Sequence, residues 1–226
     1  MPFPAFDPAQ YSSPEFTRYA SVHANPKGPG DARPTAEQII KDEGLNGKLV
    51  GKTILITGCS SGIGIETVRA LKLTGARIFA TVRDLEKGKK ALGDILEPGK
   101  VELSHLDLNS LASVRKFAAE FLAASNNQLN ILINNAGIMS CPEGTTKDGF
   151  ELPNFRSRVV SVASMAHRYF PPKLDNFQLR HGEYHPEHAY AKDPVLAATR
   201  KTPEQGAATT VWAAVAHAWE GREVCI

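Results

Sequence analysis

Residues Lys52–Gly64 read KTILITGCSSGIG, and this stretch decides the fold. Its first part, Lys52–Thr57, is a short run rich in β-branched apolar residues, which is typical of a buried strand. Its second part, Gly58–Gly64, is rich in glycine and leads into Ile65–Thr74, where apolar residues recur at helical spacing. A strand, a glycine turn and a helix in this order begin a βαβ unit, from which parallel sheets are built.

Strand and helix patterns continue to alternate after this unit. Repeated strand–helix units imply a parallel sheet with helices on both faces. We therefore predict an α/β fold, a doubly wound parallel sheet in three αβα layers with about five strands. The predicted strands are Lys52–Thr57, Ala76–Val82, Val101–Leu106, Leu129–Ile133 and Arg158–Val162, and the predicted helices are Thr35–Glu43, Ile65–Thr74, Leu85–Leu92, a helix that begins after Asn109 or Ser110 and runs to about Ala124, and one that includes Thr202–Ala207.

The composition of the 226 residues is that of a soluble globular protein, with 42% hydrophobic and 22% charged residues. The formal net charge is only +2, which argues against nucleic acid or a membrane surface as the main partner. No apolar run approaches the ~18 residues that a membrane span needs. Three widely spaced cysteines fit a reducing compartment, and the first residues lack a secretory signal, so we expect a cytoplasmic protein.

The chain divides into an arm and one domain. Residues 1–33 are rich in proline and show no period, so we predict an extended amino-terminal arm that is either mobile or laid over a surface of the domain. Residues 34–226 carry all the strand and helix patterns and form a single domain.

The glycine turn between strand and helix has the properties of a phosphate cradle. Glycines allow the backbone to approach a pyrophosphate closely, and the helix start presents unpaired N–H groups and a partial positive charge. The alternative is a tight turn without a ligand. The position after a strand and before a helix favours the cradle.

The spacing TGxxxGIG over Thr57–Gly64 resembles the short-chain dehydrogenase/reductase family, in particular its retinol-dehydrogenase-like branch, as found in many fungal oxidoreductases. Three further motifs follow in the order that the family shows: HLDL at 105–108, NNAG at 134–137 and SVAS at 161–164. The resemblance implies a Rossmann-type sheet, here truncated, which binds a nicotinamide dinucleotide. By the same resemblance, the coenzyme-binding residues would be Gly58, Ser60, Ser61, Gly62, Ile63 and Gly64 at the phosphates, Asp107 and Leu108 at the adenine, and Asn135, Ala136 and Gly137 around the adenosine and its ribose.

The end of the second strand indicates which coenzyme is used. An acidic residue there would bind the ribose 2′-hydroxyl of NAD, but the sequence has Val82 followed by Arg83. A guanidinium can clamp a 2′-phosphate with paired, charge-assisted hydrogen bonds. We therefore predict NADP or NADPH as cofactor, which makes residues 34–226 an NADP-binding domain with an incomplete carboxyl-terminal half. The alternative is a solvated Arg83 that pairs with Asp84 or Glu86.

The resemblance also implies the catalytic groups. Ser164 would hydrogen-bond the substrate oxygen, and Tyr190 would transfer the proton and contact the coenzyme. Each could instead have only a structural role: Ser164 as a serine at a strand end that hydrogen-bonds its own loop, and Tyr190 as a half-buried tyrosine. The family lysine, four residues after the tyrosine, is replaced by Pro194, and Lys192 at two residues would face away on a helix.

Two internal family segments are missing, one between Leu152 and Pro153 and one between Ala191 and Lys192.

The sequence therefore supports two candidate functions. The first is an NADP-dependent oxidoreductase that moves a hydride between the coenzyme and a carbonyl or secondary alcohol of a small organic substrate of secondary-metabolite, retinoid or steroid type. The second is a truncated, catalytically impaired relative that binds nucleotide or acts as an interaction module.

Three histidines lie close together in the sequence, at 181, 185 and 188. His181, His185 and His188 lie in a proline-containing loop without a nearby cysteine, so we expect no metal site.

Overall fold

The computed structural model describes residues 13–138, 144–149 and 201–215. Within these ranges, four parallel strands form one sheet in the order β3-β2-β1-β4. Neighbouring strands are aligned so that Thr57 lies opposite Thr81, Val82 opposite His105, and Ile56 opposite Ile133. The strands are β1 (Thr53–Thr57), β2 (Arg77–Val82), β3 (Val101–His105) and β4 (Ile131–Ile133).

Seven α-helices accompany this sheet in the described part of the chain. They are α1 (Pro14–Thr17), α2 (Ala20–Ala24), α3 (Ala36–Asp42), α4 (Ile63–Lys72), α5 (Leu85–Leu92), α6 (Leu111–Ala124) and α7 (Pro203–Val215). Polar side chains start three of them by accepting a hydrogen bond from a backbone N–H in the first turn, namely Thr35 for α3, Asp84 for α5 and Ser110 for α6. Ser110, rather than Asn109, is therefore the cap of α6.

The central strands β1 and β2 are buried on both faces of the sheet, with alternate residues pointing to opposite sides. The outer strands β3 and β4 are less buried, and Leu132 of β4 is 48% exposed. On one face, Ile54, Ile56 and Ile78 belong to a core cluster that also contains residues of α3, α4 and α7. On the other face, Leu55 and Phe79 pack with Phe117 and Phe121 of α6. The prediction of a doubly wound α/β sheet is confirmed, with four strands in the described residues. The fifth predicted strand, Arg158–Val162, lies outside them.

The amino-terminal arm differs from the prediction. The sequence predicts an extended arm over residues 1–33, but the described part contains the short helices α1 and α2. The arm packs against the domain: the Tyr19 hydroxyl donates to Asp42 at 2.8 Å, and the Gly30 N–H donates to Gln205 at 2.9 Å. These contacts join residues distant in sequence, so no local pattern in the arm signals them.

Across the described residues, none of the helices has both the length and the apolar character that a bilayer crossing requires.

Candidate dinucleotide-binding site

The glycine turn connects the carboxyl end of β1 to the amino end of α4. Gly58 has φ +74° and Gly62 has φ +58°, backbone conformations that side-chain-bearing residues rarely adopt. Ser61, Gly62 and Ile63 are exposed, whereas Gly64 is buried. The turn therefore presents its outer residues to solvent at the edge where the strands end, which is where ligands bind in open α/β sheets.

Two glycines of the turn lie too close to other backbone atoms to carry a side chain. A Cβ on Gly58 would lie 2.7 Å from the Ala136 Cα atom. A Cβ on Gly64 would collide with the carbonyl oxygen of Gly58 and lie 2.7 Å from Nδ2 of Asn135. The turn is therefore packed directly on the segment that follows β4.

Hydrogen bonds hold these two segments together. Nδ2 of Asn135 donates to the carbonyl oxygens of Thr57 at 2.9 Å and Gly58 at 3.1 Å. The Ala136 N–H donates to the Thr57 hydroxyl oxygen at 2.9 Å. The side-chain amide of Asn135 is thus used to brace the turn, as the loop-capping behaviour of asparagine allows.

The start of α4 lacks the side-chain cap that α3, α5 and α6 have. Its N-cap residue is Gly62, which has no side chain to accept a hydrogen bond from the first-turn N–H groups. The first N–H groups of a helix have no partner within the helix. The helix start therefore offers backbone donors and a partial positive charge at the exposed side of the turn.

Cys59 is a packing residue of the turn. Its side chain is fully buried, its Sγ contacts the Ile56 carbonyl oxygen at 3.4 Å, and its N–H donates to Thr81 at 3.0 Å. Burial raises the pKa of the Cys59 thiol to about 12, so the thiol is uncharged at neutral pH. A protonated, buried thiol is a poor nucleophile, and the chemistry of the turn lies in its backbone.

Arg83 follows β2 and is exposed. The two carboxylates that could pair with it are engaged elsewhere, because Asp84 accepts from the Lys87 N–H at 3.0 Å and Glu86 pairs with Lys89 at 3.0 Å. The structure therefore does not show the pairing of Arg83 with Asp84 or Glu86, and Arg83 directly follows β2, the strand that pairs with β1.

Asp107 lies after β3, and its side chain is 19% exposed. One carboxylate oxygen accepts from the Asn109 N–H at 3.0 Å, and the other pairs with Nζ of Lys147 at 3.1 Å. Partial burial raises the pKa of Asp107, but the Asn109 N–H and the charges of Lys147 and Arg83 more than offset this and hold the pKa below its ordinary value. Asp107 is thus a carboxylate at neutral pH.

The structure brings part of the predicted site together. Gly58, Gly64, Asn135 and Ala136 surround one turn, and Asp107 lies in the electrostatic field of Arg83. Leu108, which follows Asp107, and Gly137, which follows Ala136, are both exposed. The predicted catalytic residues Ser164 and Tyr190, together with Lys192 and both junctions, lie outside the described residues.

The sequence patterns do not indicate the contacts that two residues make at the candidate site. Thr57 belongs to the TGxxxGIG motif, but the motif does not reveal that its hydroxyl accepts from the Ala136 N–H and so holds the segment after β4. Lys147 was not singled out, because a lysine in a polar loop has no local signal and only its contact with Asp107 reveals it.

Residues 52–169, about half of the chain, match the family model of the short chain dehydrogenases. Together with the parallel sheet and the glycine turn, this match shows that the chain belongs to the short-chain dehydrogenase/reductase family, as its motifs predicted. The expectation of an oxidoreductase family is confirmed with it.

Several curated proteins are similar to this chain. The short-chain dehydrogenase/reductase prx1 of Penicillium roqueforti is 48% identical over 198 residues, which cover 76% of this chain and 58% of that protein. The oxidoreductase calI of Penicillium decumbens is 32% identical over 290 residues, covering 91% of this chain and 84% of that protein. Human retinol dehydrogenase 12 is 41% identical over 146 residues, covering 54% of this chain and 46% of that protein. The predicted retinol-dehydrogenase-like relationship is confirmed, and the chain spans little more than half the length of prx1.

The alignment with calI is longer than this chain, 290 residues against 226. The relative must therefore contain internal residues that have no counterpart here, which agrees with the prediction of missing internal segments.

A solved structure shares the fold. A crystal structure of an uncharacterized protein from Mycobacterium paratuberculosis is 32% identical, with a TM-score of 0.55, and the match covers 73% of this chain and 76% of that chain.

Proposed function

We propose that this chain binds NADP or NADPH at the carboxyl ends of its strands and acts as an oxidoreductase on a carbonyl or secondary alcohol of a small organic molecule. The observation that carries the proposal is the glycine turn at the start of α4. Its helix has no side-chain cap, and two of its glycines, Gly58 and Gly64, leave no room for a Cβ against the neighbouring backbone.

The turn fits a diphosphate for physical reasons. The start of α4 has no side-chain cap, and Gly62 and Ile63 at this end of the helix are exposed, so an anion could accept hydrogen bonds from the backbone there. Ser60 and Ser61 add hydroxyl donors on the same turn. We assign the phosphates of the coenzyme to Gly58–Gly64, and its adenosine and ribose to the region of Asp107, Leu108 and residues 135–137.

Arg83 supports a preference for the 2′-phosphorylated coenzyme. It is exposed at the end of β2, and the carboxylates beside it in sequence have other partners. A guanidinium in this position can donate two hydrogen bonds to a phosphate. The end of β2 carries Val82 and not the acidic residue that would bind the free ribose 2′-hydroxyl of NAD.

The bound nicotinamide would supply the hydride donor or acceptor. In the proposal, Ser164 donates a hydrogen bond to the substrate oxygen, and the Tyr190 hydroxyl gives or takes the proton on that oxygen. An unperturbed tyrosine has a pKa of about 10, so a cation near Tyr190 is required for proton transfer near neutral pH. The cytoplasmic location expected from the sequence belongs to this proposal as well.

The second candidate is a relative that binds nucleotide without turnover, or that serves as an interaction module. The observations in its favour are Pro194 at the position of the family lysine and the internal residues of calI that this chain lacks. The oxidoreductase and a relative that binds nucleotide without turnover both require the same glycine turn, so coenzyme binding alone does not separate these two.

Calorimetric titration of the folded chain with NADPH and with NADH tests the first step. We expect tighter binding of NADPH, and we expect Arg83→Ser to weaken NADPH about 10-fold to 100-fold, the value of charge-assisted hydrogen bonds. Arg115→Ser removes an exposed arginine of α6 and is the matched control, with no expected change. Absence of heat with both coenzymes would contradict the proposal and its alternative together.

A panel of carbonyl substrates, followed by the absorbance of reduced nicotinamide, tests the second step. Turnover that is lost in Tyr190→Phe and Ser164→Ala supports the oxidoreductase. Binding of NADPH without turnover on any substrate selects the second candidate.

A further inference from the structure

A short segment, residues 144–149, is fixed against the loop that joins β3 to α6. The Lys147 N–H donates to the Asn109 carbonyl oxygen at 3.1 Å, and the Leu111 N–H donates to a carboxylate oxygen of Asp148 at 2.7 Å. The Nζ atom of Lys147 pairs with Asp107 at 3.1 Å. Two of these three contacts use a backbone N–H group as the donor. The backbone around Lys147 is therefore held in place independently of its flexible side chain.

The segment places a second cation at the adenosine end of the proposed site. The Lys147 side chain is 65% exposed, whereas that of Asp107 is 19% exposed. Val82 lies opposite His105 in the paired strands β2 and β3, so Arg83 and Asp107 both follow these strands at the same edge of the sheet. The charge of Arg83 also helps to lower the pKa of Asp107. The carboxylate therefore has one cation from the segment 144–149 and another from the neighbouring strand. Its other oxygen is occupied by the Asn109 N–H.

This arrangement bears on which coenzyme is preferred. Arg83 follows β2 and Asp107 follows β3, and these two strands are neighbours in the sheet. A 2′-phosphate held by Arg83 would be repelled by a nearby unpaired carboxylate, whereas a ribose hydroxyl would not. A lysine that pairs with the carboxylate removes this repulsion, and its exposed ammonium adds attraction.

We propose that Lys147 is a specificity-determining residue, which favours NADP over NAD by neutralising Asp107 beside the 2′-phosphate position of Arg83. The inference rests on the proposed function, because it concerns the coenzyme assigned there. Lys147 lies outside all the motifs that the sequence analysis identified.

The alternative role of Lys147 is a tether that only holds residues 144–149 in place. A tether would affect both coenzymes equally, because NADP and NAD differ only in the 2′-phosphate. The ratio of the two dissociation constants therefore separates the roles, and it does not depend on catalytic activity.

The experiment measures the dissociation constants of NADP and NAD by calorimetry for the full chain and for Lys147→Met. We expect NADP to weaken about threefold to tenfold, as for a partly exposed ion pair, with NAD unchanged. The difference should shrink as salt is raised, because screening acts on exposed charges. Lys147→Arg should keep the ratio of the wild type, and Lys116→Met, which removes an exposed lysine of α6, should not change it.

A double variant tests the mechanism. If Lys147 acts by neutralising the carboxylate, then Asp107→Asn in the Lys147→Met background should restore the preference for NADP. Lys147→Gln replaces Lys147→Met if thermal unfolding shows that the methionine variant does not fold.

An equal change in both dissociation constants, or no change in either, would overturn the inference. If Arg83→Ser shifts the ratio and Lys147→Met does not, the proposed function stands and only the role of Lys147 fails. If the wild-type chain binds neither coenzyme, the proposed function itself fails.

Discussion

Asn135, just after β4, and Thr57, the last residue of β1, are joined by a hydrogen bond from the Asn135 side-chain amide to the Thr57 carbonyl oxygen at 2.9 Å. The same amide also donates to Gly58. The end of one strand is thereby fixed to the turn that follows another, although the residues are 78 positions apart. The shape of the glycine turn depends on this brace.

Replacing the brace should loosen the turn. Asn135→Leu leaves two carbonyl oxygens without their donor and puts an apolar group in a polar position. We expect a loss of about 2 kcal/mol in the free energy of unfolding, together with weaker NADPH binding. Denaturant unfolding and calorimetry measure the two effects. Asn46→Leu, at an exposed position, is the control, and equal behaviour of the two variants would contradict the role of Asn135.

Two glycines of the site should respond differently to alanine. A Cβ at Gly64 would meet the Gly58 backbone and the Asn135 amide, whereas a Cβ at Gly137 has no heavy atom within 4 Å. We expect Gly64→Ala to lower stability by about 1–3 kcal/mol and to abolish coenzyme binding. Gly137→Ala should fold normally, so any loss of coenzyme affinity there reports contact with the ligand. Normal binding by Gly64→Ala would refute the packing argument.

The strands, the glycine turn and most helix boundaries could be predicted from local patterns. β-Branched runs mark β1 and β2, and Ser110 and Asp84 are strong helix caps. The apolar period predicts that α4 starts at Ile65, because it does not extend into the glycine-rich turn, but the helix begins at Ile63. The prediction of a parallel sheet is confirmed, and the order of its strands is supplied by the structure.

Contacts between distant residues could not be read from the sequence. Gln205 looks like a surface residue of a helix, but its side chain is only 2% exposed. It donates to the carbonyl oxygens of Asp31 at 3.0 Å and Arg33 at 2.9 Å, and it accepts from the Gly30 N–H at 2.9 Å. A buried polar residue of this kind is recognised only by its partners, which lie more than 170 positions away.

Gln205 should therefore matter for stability. Gln205→Leu removes the partner of the backbone groups of Gly30, Asp31 and the buried Arg33, and we expect the free energy of unfolding to fall by about 2–4 kcal/mol. Denaturant unfolding measures this change. Gln38→Leu, at an exposed position of α3, should have a much smaller effect, and similar values for both variants would show that the arm contributes little.

The arm should also make stability depend on pH. The Arg33 guanidinium, which donates to Asp31 at 2.8 Å, holds the pKa of Asp31 below its ordinary value. A carboxyl whose pKa is lower in the folded chain stabilises the fold above the unfolded pKa of about 3.9, and this contribution is lost as the pH falls below it.

Thermal unfolding at pH 7 and at about pH 3 measures this contribution. We expect Asp31→Asn to lower the Tm at pH 7. The difference from the wild type should begin to narrow at about pH 3 but persist there, because the folded pKa of Asp31 lies lower still and the contribution is lost only as the pH falls through it. Asp94→Asn, at an exposed aspartate, should follow the wild type at both values. A constant difference between Asp31→Asn and the wild type across this range would disprove the linkage.

The helix α7 closes the core on one face of the sheet, since Ala207 and Val211 lie in the same cluster as Ile39, Ile40 and Val68. During synthesis, the residues of α3 and α4 leave the ribosome long before those of α7. A growing chain must therefore keep these apolar side chains from aggregating until Val211 has emerged. A translation product that stops before residue 203 would expose this face permanently and become a substrate for chaperones and proteases.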